Sequence, residues 1–221
     1  MNYYSRSDIQ DIVRSVLDTL PSSSRSDSEG MLIPVEISAR HVHLTQEAVE
    51  ILFGKGYQLT PKRPLSQPGQ FLCEERLKLV TARGEIANVA ILGPARPEIQ
   101  VELSLTDART LGVEVPIRLS GDLTGAADVL LVTHLGVVTA KGSAIAAKAH
   151  IHMTPADARH YGVRDGERVD IRMGTERPMT INDVIIRVRE DYALAVHIDF
   201  DEANAASLRG SNLTGYLIKS R

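Results

Sequence analysis

The pairs His41-Val42-His43 and His150-Ile151-His152 constrain this chain more than any other feature. Each follows a stretch with apolar, β-forming character, Val35-Glu36-Ile37 in one case and Ser143-Ala144-Ile145 in the other. Side chains alternate faces along a strand, so residues i and i+2 point the same way, roughly 6.6 Å apart. On a helix the same spacing would set the two imidazoles about 200° apart, on opposite sides. A strand-borne His-x-His therefore offers two ring nitrogens to one side, as a metal site requires. After each pair a threonine, Thr45 or Thr154, stands where a helix N-cap belongs. Strand, paired histidines and capped helix thus occur twice.

The rest of the chain reads as a body of short strands with brief helices, preceded by a separate segment. Ile9, Ile12, Val13, Val16, Leu17 and Leu20 form one apolar stripe at helical spacing. Ser7 and Gln10 make a capping box and Pro21 ends the helix, so residues 7–20 read as an amphipathic helix. The polar, serine-rich run from Ser22 to Gly30 tethers it. Beyond it, residues 57–69 read as an irregular loop rich in proline and glycine, and residues 113–119 and 144–152 as strands. Leu105–Val113 and Met153–Val163 each look like a capped helical turn closed by glycine. The expected fold is mainly β with short α-helices: two similar β-barrel domains preceded by a tethered N-terminal amphipathic helix. Approximate boundaries are 1–30 for helix and linker, 31–125 for the first barrel and 126–221 for the second, with strands open to exchange between barrels.

Composition narrows the function. No apolar run reaches membrane-spanning length, and the N-terminus lacks the apolar core of a secretory signal. The single cysteine, Cys73, cannot form an internal disulfide, in keeping with a reducing compartment. A net charge of −3 with scattered basic residues, and no tryptophan, argues against a nucleic-acid partner. No membrane partner is expected.

Five of the seven histidines, His41, His43, His150, His152 and His197, sit on expected strands among apolar residues. A lone strand histidine is ordinarily a hydrogen-bonded core or surface residue, whereas two pairs and a fifth point to metal. His160 reads as a solvated helix residue, and His134 has no assigned role. Glu102 reads equally as a carboxylate ligand or a solvent-facing glutamate. Arg96, between Pro94 and Pro97, has a planar fork suited to an anion such as phosphate, with an ordinary exposed arginine as the alternative. The Ser120-Gly121-Asp122 turn either presents backbone amides to an anion or is simply a turn. Cys73 precedes Glu74 and Glu75, which raise a thiol pKa, so it reads as structural.

Taken together, His41-Val42-His43, Gly93-Pro94-Ala95-Arg96, Gln100-Val101-Glu102-Leu103-Ser104, Ser120-Gly121-Asp122, His150-Ile151-His152-Met153 and the stretch from His197 to Asn204 resemble a known family. They look like the phosphate propanoyltransferases (phosphotransacylases) of bacterial microcompartments, from about Leu32 to the C-terminus. The resemblance implies two β-barrel domains, two zinc ions per chain, and exchange of a short acyl group, propanoyl or acetyl, between coenzyme A and phosphate. It implies metal ligation by His41, His43, Glu102, His150, His152 and His197. Arg96 and Ser120 match phosphate-contacting positions, while Ser38 and Asn204 fall where coenzyme A contacts are expected. The family's arginine before the second His-x-His is replaced here by Ala149. Expected partners are acyl-CoA, phosphate, further copies of the chain, and microcompartment shell or core proteins reached through the N-terminal helix. The expected location is a microcompartment in the bacterial cytoplasm.

Two other classes compete. His41-Val42-His43-Leu44-Thr45-Gln46-Glu47 has the spacing of a cupin-like metal oxygenase or isomerase, although Glu47 falls on the helix after Thr45. A non-catalytic, zinc-stabilised adaptor would leave Arg96 without a role, and structural zinc is usually cysteine-rich.

Overall fold

The structure, a computed structural model, describes residues 32–219, all within one compact unit. The expected helix at 7–20 and its linker lie outside the described residues. In chain order the strands are β1 (Leu32–Ser38), β2 (His41–His43), β3 (Pro61–Pro64), β4 (Phe71–Val80), β5 (Glu85–Gly93), β6 (Gln100–Leu103) and β7 (Ile117–Arg118). They continue with β8 (Ala127–Val132), β9 (Val137–Ala147), β10 (His150–Met153), β11 (Arg168–Met173), β12 (Met179–Val188), β13 (Ala195–Asp199) and β14 (Thr214–Lys219). The helices are α1 (Gln46–Phe53), α2 (Leu105–Leu111), α3 (Pro155–Tyr161) and α4 (Phe200–Ala205). No helix among the described residues is long and apolar enough to cross a membrane.

These strands close into two six-membered rings, as the alternating pattern led one to expect. One ring runs β4-β5-β2-β6-β9-β8 and back to β4, with β3 and β7 attached as edge strands. The other runs β11-β12-β10-β13-β1-β14. Position for position the two are equivalent. In the first, β2 runs antiparallel to β6 with His41 opposite Glu102 and Val42 opposite Val101. In the second, β10 runs antiparallel to β13 with His150 opposite His197 and Ile151 opposite Val196. A parallel neighbour, β5 or β12, flanks each histidine strand on its other side.

The barrels are not sequential halves. β1 comes just before the first histidine pair yet closes the second barrel, between β13 and β14. β9 comes just before the second pair yet closes the first barrel, between β6 and β8. The chain therefore crosses between barrels at Ala39-Arg40 and at Lys148-Ala149, and a single cut at 125/126 would leave β1, β8 and β9 on the wrong side. Each crossing has a use: the Ala39 carbonyl accepts from His41 Nδ1 at 2.8 Å, and the Lys148 carbonyl pairs with His150 Nδ1 at 2.9 Å. The run 144–152, expected as one strand, is broken at the second crossing for that reason.

Side-chain alternation builds the cores. Val42, Val101 and Ile91 are fully buried inside the first barrel, as are Ile151, Val196 and Ile186 in the second, while the intervening histidines face out of the barrels. Fully burying one such aliphatic side chain contributes about 1.5–3 kcal/mol. Capping boxes at Ser104–Asp107, Thr154–Asp157 and Asp199–Glu202 start α2, α3 and α4. Gly112 and Gly162 end α2 and α3 in the left-handed conformation that favours glycine. Two expectations shift. The loop at 57–69 contains β3, an edge strand on which Pro61 and Pro64 are tolerated because one side has no partner. Of the run 113–119, the part that pairs is Ile117–Arg118, against β9.

Candidate active site

Alternation also decides where the polar side chains go. With Val42 and Ile151 turned inward, His41 and His43 leave one barrel together and His150 and His152 leave the other. Glu102 and His197 join them from the neighbouring strands through the registers above. The candidate donor atoms of His41, His43 and Glu102 lie within 4.8 Å of one another, and so do those of His150, His152 and His197. Both triads line a single cavity of about 620 Å³ between the barrels, together with Ser38, Arg96 and Ser120. All six expected ligand residues are thus brought together, as two equivalent groups of three.

The protonation states suit metal. Burial, reinforced by neighbouring histidines, pushes the His43, His152 and His197 imidazoles down to about 3, 2 and 3, and burial lowers His150 as well. Neutral rings keep a lone pair for coordination. With Nδ1 of His41 and of His150 engaged by a backbone carbonyl, Nε2 is the free donor on both. Both ring nitrogens of His152 are buried with no protein partner, a costly state that a bound cation would relieve. Burial opposes ionisation of Glu102, but His41, His43, His150 and the Ser120 hydroxyl outweigh it and hold the carboxyl at about 2. Three imidazoles on one side, and two with a carboxylate on the other, form a nitrogen and oxygen donor set that fits zinc.

Around the triads, long-range contacts orient the donors. Gln100 Nε2 donates to Glu102 Oε1 at 2.6 Å and to Ser120 Oγ at 2.8 Å, while Gln100 Oε1 accepts from the Gly121 amide at 2.8 Å. The Asp122 amide is spent on the Leu119 carbonyl and the Gly121 amide on Gln100, so the Ser120 hydroxyl is what this turn offers the cavity. Glu36 Oε2 lies 3.7 Å from His197 Nδ1 and accepts from Ser66 Oγ at 2.6 Å. Tyr192 stacks on His152 with ring centroids 3.9 Å apart. Gln67, 5% exposed, bridges the barrels: it bonds both N–H and C=O of Ala193 and lies 3.3 Å from His197 Nε2.

Glu36, Gln67 and Tyr192 escaped the sequence reading. A carboxylate within an otherwise apolar strand was a signal for Glu36; Gln67 and Tyr192 sit on loops whose partners only the fold supplies. The structure does not bring Asn204 into the cavity lining, where it is exposed on α4. Glu47 is exposed on α1, away from His41 and His43, so the cupin-like triad does not assemble. Cys73 is buried, and burial with Glu75 pushes its thiol up to about 11, which makes it a poor nucleophile.

Comparison with known proteins agrees with this arrangement. The phosphate propanoyltransferase family profile matches residues 34–209. A phosphate propanoyltransferase of Alkaliphilus metalliredigens is 46% identical over 211 residues, covering 96% of this chain and 98% of its own. Those of Clostridioides difficile and Thermotoga maritima are 50% and 47% identical over 173 and 188 residues, covering 78% and 85% of this chain and 83% and 89% of their own. With the fold, the cavity and these matches in agreement, the chain belongs to the phosphate propanoyltransferase family and is a phosphate acyltransferase.

Proposed function

We propose that the protein exchanges a short acyl group between coenzyme A and inorganic phosphate, acyl-CoA + phosphate giving acyl phosphate + CoA, with propanoyl or acetyl as the acyl group. The observation that carries this reading is the facing of two donor triads across one cavity that also holds Arg96. His41, His43 and Glu102 hold one divalent metal and His150, His152 and His197 a second, zinc by donor type. When bound, such metals supply Lewis-acid polarisation of a thioester carbonyl and stabilise a thiolate leaving group.

The protein's own groups do the rest. Arg96 is fixed by its backbone amide, which donates to the Leu44 carbonyl at 2.8 Å, and its guanidinium is half-buried with Glu102 nearby. It orients phosphate for attack on the carbonyl carbon and offsets its charge. Ser120 adds a hydroxyl to the same anion, and Ser38 lines the cavity where the thioester enters. Asn204, outside the cavity lining, contacts an outer part of coenzyme A. Among the described residues no cavity serine or cysteine is hydrogen-bonded to an imidazole, in keeping with direct transfer and no acyl-enzyme.

Residues 7–20 address the enzyme to a microcompartment shell or core partner and promote self-association; a short helix with one apolar stripe is marginal alone and must find a surface. The metal reading is tested by changing His150 and His152 together to Ala. Elemental analysis should show metal lost, and phosphate-dependent thiol release from propanoyl-CoA should fall to background. Full metal content in that double variant would remove both residues from the metal site. Comparing acetyl-, propanoyl- and butanoyl-CoA in the same assay fixes the acyl preference.

A further inference from the structure

Six arginines line the cavity between the barrels: Arg40, Arg63, Arg76, Arg96, Arg187 and Arg189. Half of them are already occupied. Arg40 pairs with Asp107, Arg189 makes two bonds to Asp191, and Arg76 donates to the carbonyls of Cys73, Glu74 and Glu75. Arg63 is exposed on β3, at the rim. Arg96 and Arg187 are both half-buried, and among the described residues neither is in an ion pair. They come from opposite barrels, Arg96 from the β5–β6 loop and Arg187 from β12.

Their placement is mutual. Arg187 lies beside His152 in the parallel register of β10 and β12, and its guanidinium sits 6.0 Å from the Tyr192 ring that stacks on His152. Arg96 belongs to the other triad, where its charge acts on His43. Burial lowers the Arg96 pKa and the Arg187 charge adds to it against the pull of Glu102, while burial with the same Arg187 charge lowers His150, His152 and His197. Two cations without an ion-pair partner among the described residues, in one partly desolvated cavity, are costly unless an anion joins them. The barrel itself does not need an arginine here. Extending the equivalent register by one residue places Leu92 of β5 at this position in the other barrel, beside His43, whose Nδ1 meets the Leu92 carbonyl.

We propose that Arg187 is a second phosphate-binding residue that clamps the acceptor phosphate together with Arg96, one guanidinium from each barrel. This rests on the reading of Arg96 as a phosphate contact and extends it. A phosphate dianion carries two charges and three or more acceptor oxygens, so two planar forks neutralise and orient it where one cannot. The thioester carbon is uncharged, so the clamp favours phosphate over water as the attacking group. It also makes phosphate affinity depend on the docking of the two barrels.

The test uses the full-length, metal-loaded enzyme with Arg187→Gln, and Arg187→Leu, the residue of the equivalent position, should the glutamine variant fold poorly. The KM for phosphate should rise roughly 10- to 100-fold, the loss of one charge-assisted contact, with the KM for propanoyl-CoA within about twofold and metal content unchanged. Inorganic phosphate alone should raise the melting temperature of the wild-type protein and not that of the variant. Arg187→Lys should recover part of the affinity, keeping the charge without the fork. Combined with Arg96→Gln, the loss should be smaller than the product of the single losses, because both act on one anion. An unchanged phosphate KM and an unchanged phosphate-induced shift in Arg187→Gln, beside large effects in Arg96→Gln, would overturn this proposal and leave Arg96 in place. Unchanged values in both variants would overturn the Arg96 reading too. A rise confined to the KM for propanoyl-CoA would make Arg187 a thioester contact and equally overturn the proposal.

Discussion

Glu202 stands in the second barrel where Asp107 stands in the first, as the third residue of the capped helix that follows the last donor strand. Asp107 is neutralised by Arg40. The position equivalent to Arg40 is Ala149, so the arginine missing from the family pattern leaves its mark on a carboxyl rather than on the metal donors. Burial, with Asp199 and Asp201 adding like charge, raises the Glu202 pKa from 4.5 to about 7. A carboxyl with a raised folded-state pKa contributes its stability below the unfolded value and loses it as pH rises through the folded one. Wild-type stability should therefore fall between about pH 4.5 and 7, by at most about 3 kcal/mol from this group. Glu202→Gln keeps an oxygen to accept from the Asp199 amide and removes the charge. Urea unfolding should show the variant more stable than wild type at pH 8 and little different at pH 5. Equal stability at pH 8 would mean that Glu202 ionises freely.

The loop between β12 and β13 carries Tyr192 onto His152, and Gln67 from the loop between β3 and β4 holds it there through both backbone groups of Ala193. A buried amide that satisfies two backbone groups across two barrels is a tether. Gln67→Ala should speed hydrogen exchange of the Ala193 amide roughly 10-fold or more, the equivalent of one lost hydrogen bond. Exchange at the wild-type rate would show that the loop is held by other contacts. Neither half of this contact was legible beforehand. Gln67 lay in a proline- and glycine-rich stretch with no periodicity, and even β3 is a strand by virtue of pairing with β4 rather than by its own composition. The helices were the opposite case, since caps and terminal glycines are local chemistry that can be read residue by residue.

Each barrel is completed by the strand that precedes the other barrel's histidine pair, which ties their stabilities together. Dividing the chain into sequential halves would part β1 from β13 and β14, and β9 from β6. A chain beginning at Gly30 keeps every described strand and both triads. It should keep turnover and metal, lose co-localisation with shell proteins, and unfold in one cooperative transition coincident by fluorescence and circular dichroism. Two separated transitions would show that the barrels fold independently despite the exchange, and loss of turnover would place residues before Gly30 in the catalytic body.

Alone, the sequence determined what depends on neighbours along the chain. Strand alternation put His41 with His43 and His150 with His152 on common sides, threonine caps began α1 and α3, and the combined motifs carried the family. Only the tertiary structure decided which strands became neighbours. Register, set by hydrogen bonding between segments up to about 160 residues apart in β1 and β13, turned Glu102 and His197 into the third members of their triads. It also put Glu36 beside His197 and brought Arg187, next to His152, into the cavity that Arg96 lines. Local periodicity says which face a side chain takes, but the partner on that face is chosen by the packing of the whole chain.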